Sequence, residues 1–211
     1  MIEVIIGALI AIFLTIFIEF QRKPRLEIET LETLPMDLIG SARLRVRNKP
    51  LPGWLRWLSR QPALQCHGNI TFHNYINGQD IFGQEMQIRW VNLPEPLPID
   101  IGLDNKIVGH IYDPVRILQL QRIDIYAGEY EDLDVAVKFH GEEICYGWNN
   151  ESYRYSGRNP SWKLEEKQYL IRMSIRTAGE KITRIFRLLN PGTKDGFRIE
   201  NSSSNDQDLI C

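Results

Sequence analysis

The chain has 211 residues, of which 25 are Lys or Arg and 27 are Asp or Glu, giving a formal net charge of −2. Because its charges are nearly balanced, the chain lacks the strongly basic character of proteins that bind nucleic acid in bulk. The cysteines, Cys66, Cys145 and Cys211, form an odd and sparse set, which favours a reducing compartment over a disulfide framework. A Cys66–Cys145 bridge in an exported domain is the alternative.

The N-terminal segment carries the clearest signal in the sequence. From Val4 to Ile18 every residue except Thr15 is apolar or glycine, and a threonine hydroxyl can bond a backbone carbonyl one turn back. A helix over residues 1–20, rising ~1.5 Å per residue, covers roughly 30 Å, the thickness of a bilayer hydrocarbon core. The pattern therefore predicts a transmembrane anchor over residues 1–20.

A basic juxtamembrane flank, residues 21–25, follows the apolar run. Its charges, Arg22, Lys23 and Arg25, are typical of a stop-transfer sequence, and the positive-inside rule keeps such a flank in the cytoplasm. A signal peptide, the alternative, has its basic residues before the apolar run. We therefore expect an uncleaved single-pass anchor in the cell membrane, with the N-terminus outside and the C-terminal domain in the cytoplasm.

Two small residues on the anchor, Gly7 and Ala11, are four apart and so share one helix face. Small residues at this spacing let two membrane helices approach closely. They predict a homo-oligomer formed through the anchor, and the alternative is a monomeric helix that happens to contain small residues.

The sequence beyond residue 25 has a hydrophobic period of two. Residues 26–30 alternate, and residues 42–48 place Leu44 and Val46 opposite three arginines. This alternation is typical of half-buried strands. Further strand signals occupy residues 64–73, 86–92, 120–126, 132–139 and 144–148, and a hairpin joins residues 169–176 to 181–189 before a last short strand at 197–199.

The intervening stretches read as loops. Residues 93–119 are rich in Pro, Gly and Asp and predict a long loop with one short strand near 106–111. Residues 201–211 are polar and serine-rich, and we expect a disordered tail there. Many short strands without a convincing soluble helix predict a mainly β fold, an antiparallel β-sandwich over residues 26–200. An immunoglobulin-like form is favoured and a jelly roll is the alternative.

Inside this region we expect Leu133, Val135, Val137 and Phe139 to face the core from one strand, because they alternate with polar residues.

The densest polar cluster runs Glu142-Glu143-Ile144-Cys145-Tyr146-Gly147-Trp148-Asn149-Asn150-Glu151-Ser152-Tyr153. Together with Asn159, Pro160 and Trp162 and the segment 186–190, this block resembles one in uncharacterised prokaryotic membrane-anchored proteins that carry a β domain. The resemblance covers most of residues 42–200. It implies a membrane compartment but no activity, since no family of known function carries it.

An enzymatic interpretation of the cluster makes Cys145 a nucleophile and His67, His73 or His140 its base, since a thiolate needs a partner that lowers its pKa. A membrane-bound hydrolase acting through the carboxylates of Glu142, Glu143 and Glu151 is a second version. The structural interpretation has Cys145 as a small core residue, Trp148 packing the sandwich and Asn149-Asn150 turning the chain, and we favour it.

Two groups of side chains are candidates for ligand binding. Arg43, Arg45 and Arg47 stand at period two on one sheet face, where guanidinium groups can grip carboxylates or phosphates. The alternative is a solvated face balanced by Glu27 and Glu29. The second group comes from the polar cluster: Trp148, Asn149, Asn150 and Tyr153.

The insert between Pro50 and Pro62 is a candidate for membrane contact. Trp54 and Trp57, with the leucines that follow each, lie at helical spacing, as in a helix that lies in a membrane interface. Arg22, Lys23 and Arg25 would join them there. The alternative is a loop whose tryptophans cap the end of the sandwich.

The sequence predicts no metal and no cofactor, since ligand pairs at zinc spacing and glycine-rich phosphate loops are absent. The leading hypothesis is a membrane-anchored cytoplasmic module that binds a protein or a small anionic ligand and is not an enzyme. An exported carbohydrate- or protein-binding sandwich, with Trp54, Trp57, Trp148 and Tyr153 as stacking platforms, is the first alternative, and the hydrolase is the second.

Overall fold

The computed structural model describes residues 1–31, 34–35, 39–55, 57–103, 106–193 and 196–210. Within these ranges the helices are α1 (Ile2–Arg22), α2 (Pro114–Leu118) and α3 (Ser204–Asp208). The strands are β1 (Leu26–Thr30), β2 (Leu34–Pro35), β3 (Ile39–Asn48), β4 (Ala63–Asn74), β5 (Met86–Gln87), β6 (Arg89–Trp90), β7 (Pro98–Leu103), β8 (Lys106–Tyr112), β9 (Ile123–Ile125), β10 (Tyr130–Phe139), β11 (Cys145–Gly147), β12 (Lys163–Leu164), β13 (Gln168–Arg176), β14 (Lys181–Leu189) and β15 (Arg198–Asn201).

Helix α1 is long and apolar enough to cross a membrane, and none of its residues is buried against the rest of the chain. The Thr15 hydroxyl donates to the Ala11 carbonyl at 2.9 Å, as expected for a polar side chain in an apolar helix. Only residues 23–25 separate α1 from β1. The strand-rich remainder of the chain, called the β region below, thus starts almost at the helix end.

Two antiparallel sheets build most of the β region. The first has the order β1-β3-β10-β11-β12, with β2 added at β3 and β6 at β10. The second has the order β15-β14-β13-β4-β5, with β9 added at β4. Strands β7 and β8 form a separate antiparallel pair. A mainly β fold with antiparallel sheets behind one apolar N-terminal helix is therefore confirmed.

Both sheets contribute to one hydrophobic core. Leu44 and Val46 of β3 are fully buried, and so are Ile70 and Phe72 of β4. Tyr169 of β13 is only 2% exposed. Burying an aliphatic or aromatic side chain of this size contributes about 1.5–3 kcal/mol. The predicted alternation on β3 is correct, because its arginines occupy the opposite face.

A β-bulge changes the phase of β10. Its register with β3 shifts between Asp134 and Ala136, so one extra residue is inserted into the strand. Beyond the bulge, Val137 and Phe139 pack in a small separate cluster, while Lys138 is fully buried. The expectation that these two apolar residues join the main core is wrong, because the bulge turns them to the other face.

The stretch predicted as a long loop holds more structure than its composition indicated. Strands β7 and β8 pair from Pro98↔Tyr112 to Leu103↔Lys106, and α2 follows directly. The Asp113 side chain caps α2 by accepting from the Val115 backbone N–H, with Pro114 at the first helical position. The expectation of a β region without helices is wrong here.

The C-terminal segment that we expected to be disordered contains a short helix, α3. Ser203 and Asp206 form a reciprocal capping box at the start of α3. The Asp206 carboxylate also pairs with Arg187 of β14 at 2.7 Å, and Ile210 is only 8% exposed. These contacts hold α3 against the second sheet. Cys211 lies outside the described residues.

Candidate functional site

The end of α1 is bonded to the segment before β4. The Arg60 Nη1 donates to the Lys23 carbonyl at 2.6 Å, and the Gln61 backbone N–H donates to the Arg22 carbonyl at 2.7 Å. Both acceptors belong to the last turn of α1 or to the residue after it, where helix carbonyls lack intrahelical partners. The insert thus caps the helix.

Asn48 ties the same junction to the sheets. Its Oδ1 accepts from the Arg25 backbone N–H at 3.0 Å, and its Nδ2 donates to the carbonyls of Gln61 and Ile125, each at 3.1 Å. Asn48 is fully buried. The Lys49 backbone N–H adds a bond to the Arg25 carbonyl at 2.9 Å. The connection from α1 is therefore built into the fold on both sides.

Trp54 and Trp57 project from this end of the β region. They are 69% and 71% exposed, whereas Leu55 between them is only 2% exposed. The segment forms a single 3₁₀ turn over Gly53–Leu55 instead of the expected interfacial helix, and Arg56 lies outside the described residues. The two indole rings are exposed and do not pack over the core, so the alternative in which they cap it is wrong.

Two of the three arginines on β3 are held by carboxylates of β10. Arg43 Nε pairs with Asp134 at 2.7 Å, and Arg45 forms a forked pair with Asp132 at 2.7 and 3.0 Å. The hydrogen bond that Arg45 donates to Asp132 raises the pKa of Arg45. Arg47 is exposed. The ion-pair partners come from β10, and Glu29, opposite Arg45 on β1, adds a smaller favourable charge.

A buried polar network surrounds Asn150. Its Oδ1 accepts from Arg89 Nη1 at 2.9 Å and from Gln121 Nε2 at 3.0 Å. Arg89 is only 2% exposed and also donates to the Leu93 carbonyl at 3.1 Å. Sequence reasoning missed Arg89 and Gln121, because they lie 61 and 29 positions from Asn150 and carry no local motif.

The other predicted ligand residues from the polar cluster gather beside this network. Asn149 caps the 3₁₀ turn Asn150–Tyr155, and Tyr153 packs against Trp148 in a tilted arrangement with ring centroids 5.3 Å apart. The Arg89 guanidinium lies 4.9 Å from the Tyr153 ring centroid. Burial raises the pKa of Tyr153 to about 12, so its hydroxyl stays protonated.

Two clefts flank Asn150. The first, of ≈ 410 Å³, has arginine, glutamate and amide groups on its walls; its lining residues are Leu93, Pro94, Glu95, Pro96, Arg116, Gln119, Leu120, Gln121, Arg122 and Asn150. The second, of ≈ 380 Å³, includes Asn149, Asn150 and Glu151 on its walls. Asn150 thus forms a partition between two polar clefts, with Arg89 fixing its orientation from inside.

The structure gives Cys145 the properties of a core residue. It is fully buried and free of any disulfide, as is Cys66, so the proposed bridge between them is absent. Burial raises the pKa of Cys145 to about 12, although nearby Lys138 opposes the shift. A thiol with such a pKa is not a nucleophile at neutral pH. The predicted base His140 is exposed on the β10–β11 turn.

The carboxylates of the hydrolase hypothesis have separate surroundings. Glu142 pairs with Arg158 at 2.8 Å near the β10–β11 turn, and Glu143 is exposed beside it. Glu151 lines the second cleft. Within the described residues, His, Cys, Asp and Glu form no group of three or more that fits a metal ion.

A buried lysine was also missed by sequence reasoning. Lys138 Nζ donates to the Asn190 Oδ1 at 2.6 Å and to the Glu143 carbonyl at 2.8 Å. Asn190 in turn donates to the carbonyls of Glu143 and Glu166. This network joins the β10–β11 turn to the end of β14.

Comparisons of the whole chain with protein-family models, curated proteins and solved structures find no match.

Proposed function

We propose that this chain is a single-pass membrane-anchored protein whose β region is a non-enzymatic binding module on the cytoplasmic side. The observation that carries the proposal is α1: a 21-residue apolar helix with no buried residue, hydrogen-bonded to the β region at its C-terminal end. Apolar surface exposed to water costs about 25 cal/mol per Å². A bilayer covers the whole helix and removes this cost.

The proposed architecture of the module is an antiparallel β-sandwich of immunoglobulin-like type. Its support is that both sheets contribute to one core and that the strands within them are antiparallel. Such sandwiches carry binding residues on turns and edges around a rigid core.

The membrane-facing end of the module, in this proposal, is the end from which Trp54 and Trp57 project. Tryptophan is enriched at membrane interfaces because its amphipathic ring suits the headgroup level. Arg22, Lys23 and Arg25 then lie at the inner leaflet, where each basic residue near an anionic surface contributes about 1 kcal/mol.

The ligand-binding part of the module is the pair of clefts beside Asn150. A buried cation, Arg89, and the amide of Gln121 hold the partition formed by Asn150, and Arg116 and Arg122 stand on the wall of the larger cleft. This chemistry fits a small anionic ligand or an acidic segment of a protein. Arg43 and Arg45 have less to offer a ligand, since carboxylates already hold them.

Topology is the test of the proposal. A single cysteine is placed at the exposed His140 (H140C) in a chain whose Cys211 is replaced by Ser, and intact and lysed cells are treated with a membrane-impermeant maleimide. Cys66 and Cys145 stay silent because both are buried. We expect labelling only after lysis. Labelling in intact cells would reverse the orientation and favour the exported binding sandwich.

Self-association of the anchor is tested separately. Substitution G7L together with A11L fills the small face of α1, where a Cβ added at Gly7 would meet no neighbouring atom within 4 Å. The matched control is I10L on the same helix. We expect the double substitution to abolish a crosslinked dimer in membranes, whereas an unchanged dimer would remove this face from the proposal.

A further inference from the structure

A third cavity, of ≈ 360 Å³, lies at the α1 end of the β region, and its walls have two chemical characters. Pro50, Leu51 and Leu58 are apolar, whereas Ser59 and Arg60 are polar; Gly53 and Ala127 complete the lining. Arg60 is the residue that bonds the carbonyl of Lys23 just after α1. The cavity therefore sits at the level where the proposed anchor leaves the membrane.

Arg60 is a buried cation whose charge is only partly compensated in the described part of the chain. It is 8% exposed, its Nε has no hydrogen-bond partner, and it forms no ion pair with a carboxylate there. Burial lowers the pKa of Arg60, the charge of Arg25 lowers it further, and Glu180 opposes the shift. A guanidinium stays protonated in proteins, and a buried charge that is incompletely compensated is costly. An anion in the cavity would remove this cost.

We propose that this cavity binds the headgroup of an anionic phospholipid, with Arg60 compensating the phosphate charge and Ser59 donating to its oxygens. The apolar wall of Leu51 and Leu58 receives the first methylene groups of the lipid. Exposed Trp54 follows Gly53, which lines the cavity. In the proposed arrangement its indole ring lies at the level of the lipid headgroups, where tryptophan is enriched.

The inference rests on the proposed membrane anchoring and goes further by naming the ligand class. A free phosphate monoester shares the headgroup chemistry, but it lacks the acyl chains that would fit the apolar wall. The lipid headgroup is therefore the occupant to which the inference commits.

The test uses the full chain in detergent, titrated with short-chain phosphatidylglycerol, phosphatidylcholine or free glycerol phosphate, with binding followed by tryptophan fluorescence. We expect phosphatidylglycerol to bind at least tenfold more tightly than the other two probes. Substitution R60Q should remove this preference, while the control R172Q, at an exposed arginine of β13, should keep it. Equal binding of the two lipids, or unchanged selectivity in R60Q, would overturn the inference, and equal binding of glycerol phosphate would reduce the cavity to an ion site.

A second variant keeps the test decisive if R60Q does not fold. Substitution S59E adds a carboxylate at the exposed edge of the cavity and leaves the Arg60–Lys23 bond intact. It should abolish the preference for phosphatidylglycerol, and S204E, which adds the same charge on α3, should not. Resistance of the chain to alkaline extraction from membranes reports anchoring independently. If the unaltered chain shows no lipid selectivity but remains anchored, only this inference is refuted.

Discussion

Replacing Asn48 by Ala should destabilise the β region and its connection to α1 together. The fully buried side chain makes three hydrogen bonds, which join Arg25, Gln61 and Ile125. A neutral hydrogen bond contributes about 1 kcal/mol net, so their loss should lower the free energy of unfolding by about 3 kcal/mol. This is a large share of the roughly 5–15 kcal/mol that stabilises a typical domain.

Urea unfolding of the full chain in detergent measures this change. Tryptophan fluorescence reports only the β region, because every tryptophan lies after α1. The matched control is Asn92→Ala, since exposed Asn92 makes one surface hydrogen bond to Glu131 and should cost less than about 0.5 kcal/mol. Equal losses in the two variants would refute the view that Asn48 holds the junction.

Three further predictions concern buried polar and thiol groups. Cys145, with its pKa near 12, should react with a thiol reagent at pH 8 only after denaturation, and rapid reaction of the folded chain would contradict its burial. Burial alone would raise the pKa of Asp206, but hydrogen bonds, one of them from Arg187, hold it below its usual value. The stabilisation is therefore present above about pH 4 and lost as the pH falls. In urea unfolding, D206N should lower the free energy of unfolding by about 2 kcal/mol at pH 7 and by progressively less as the pH falls below about 4, whereas a loss independent of pH would argue against the ion pair. Substitutions K138M and N190A should each lower the free energy of unfolding by about 2 kcal/mol. Because the two side chains share a hydrogen bond, the double variant should lose clearly less than the sum of the two single losses. Strictly additive losses would contradict the network.

The sequence was most informative where one face of a strand meets water. On β3, Leu44 and Val46 alternate with arginines, and the burial follows that alternation residue by residue. The β13–β14 hairpin was equally readable, since its turn and both strands are continuous in the chain. In each case the signal lies within a few neighbouring residues.

The features that sequence reasoning missed depend on partners far along the chain. The bulge in β10 has no compositional mark, and it turns Lys138 inward to meet Asn190, 52 positions away. Likewise Asn150 was singled out, but its buried partner Arg89 was not. The starts of α2 and α3 are different: the capping residues Asp113 and Ser203 were visible locally, but the surrounding composition outweighed them.

The short connection between α1 and β1 also limits which molecules can reach the protein. Three extended residues span at most about 11 Å, and residues 23–25 are further shortened by their bonds to Asn48 and Arg60. When α1 crosses a bilayer, no folded protein fits between the lipid and the near end of the β region. A soluble partner must therefore approach the β region from its sides or from the end far from α1, while a partner confined to the membrane plane meets only the sides.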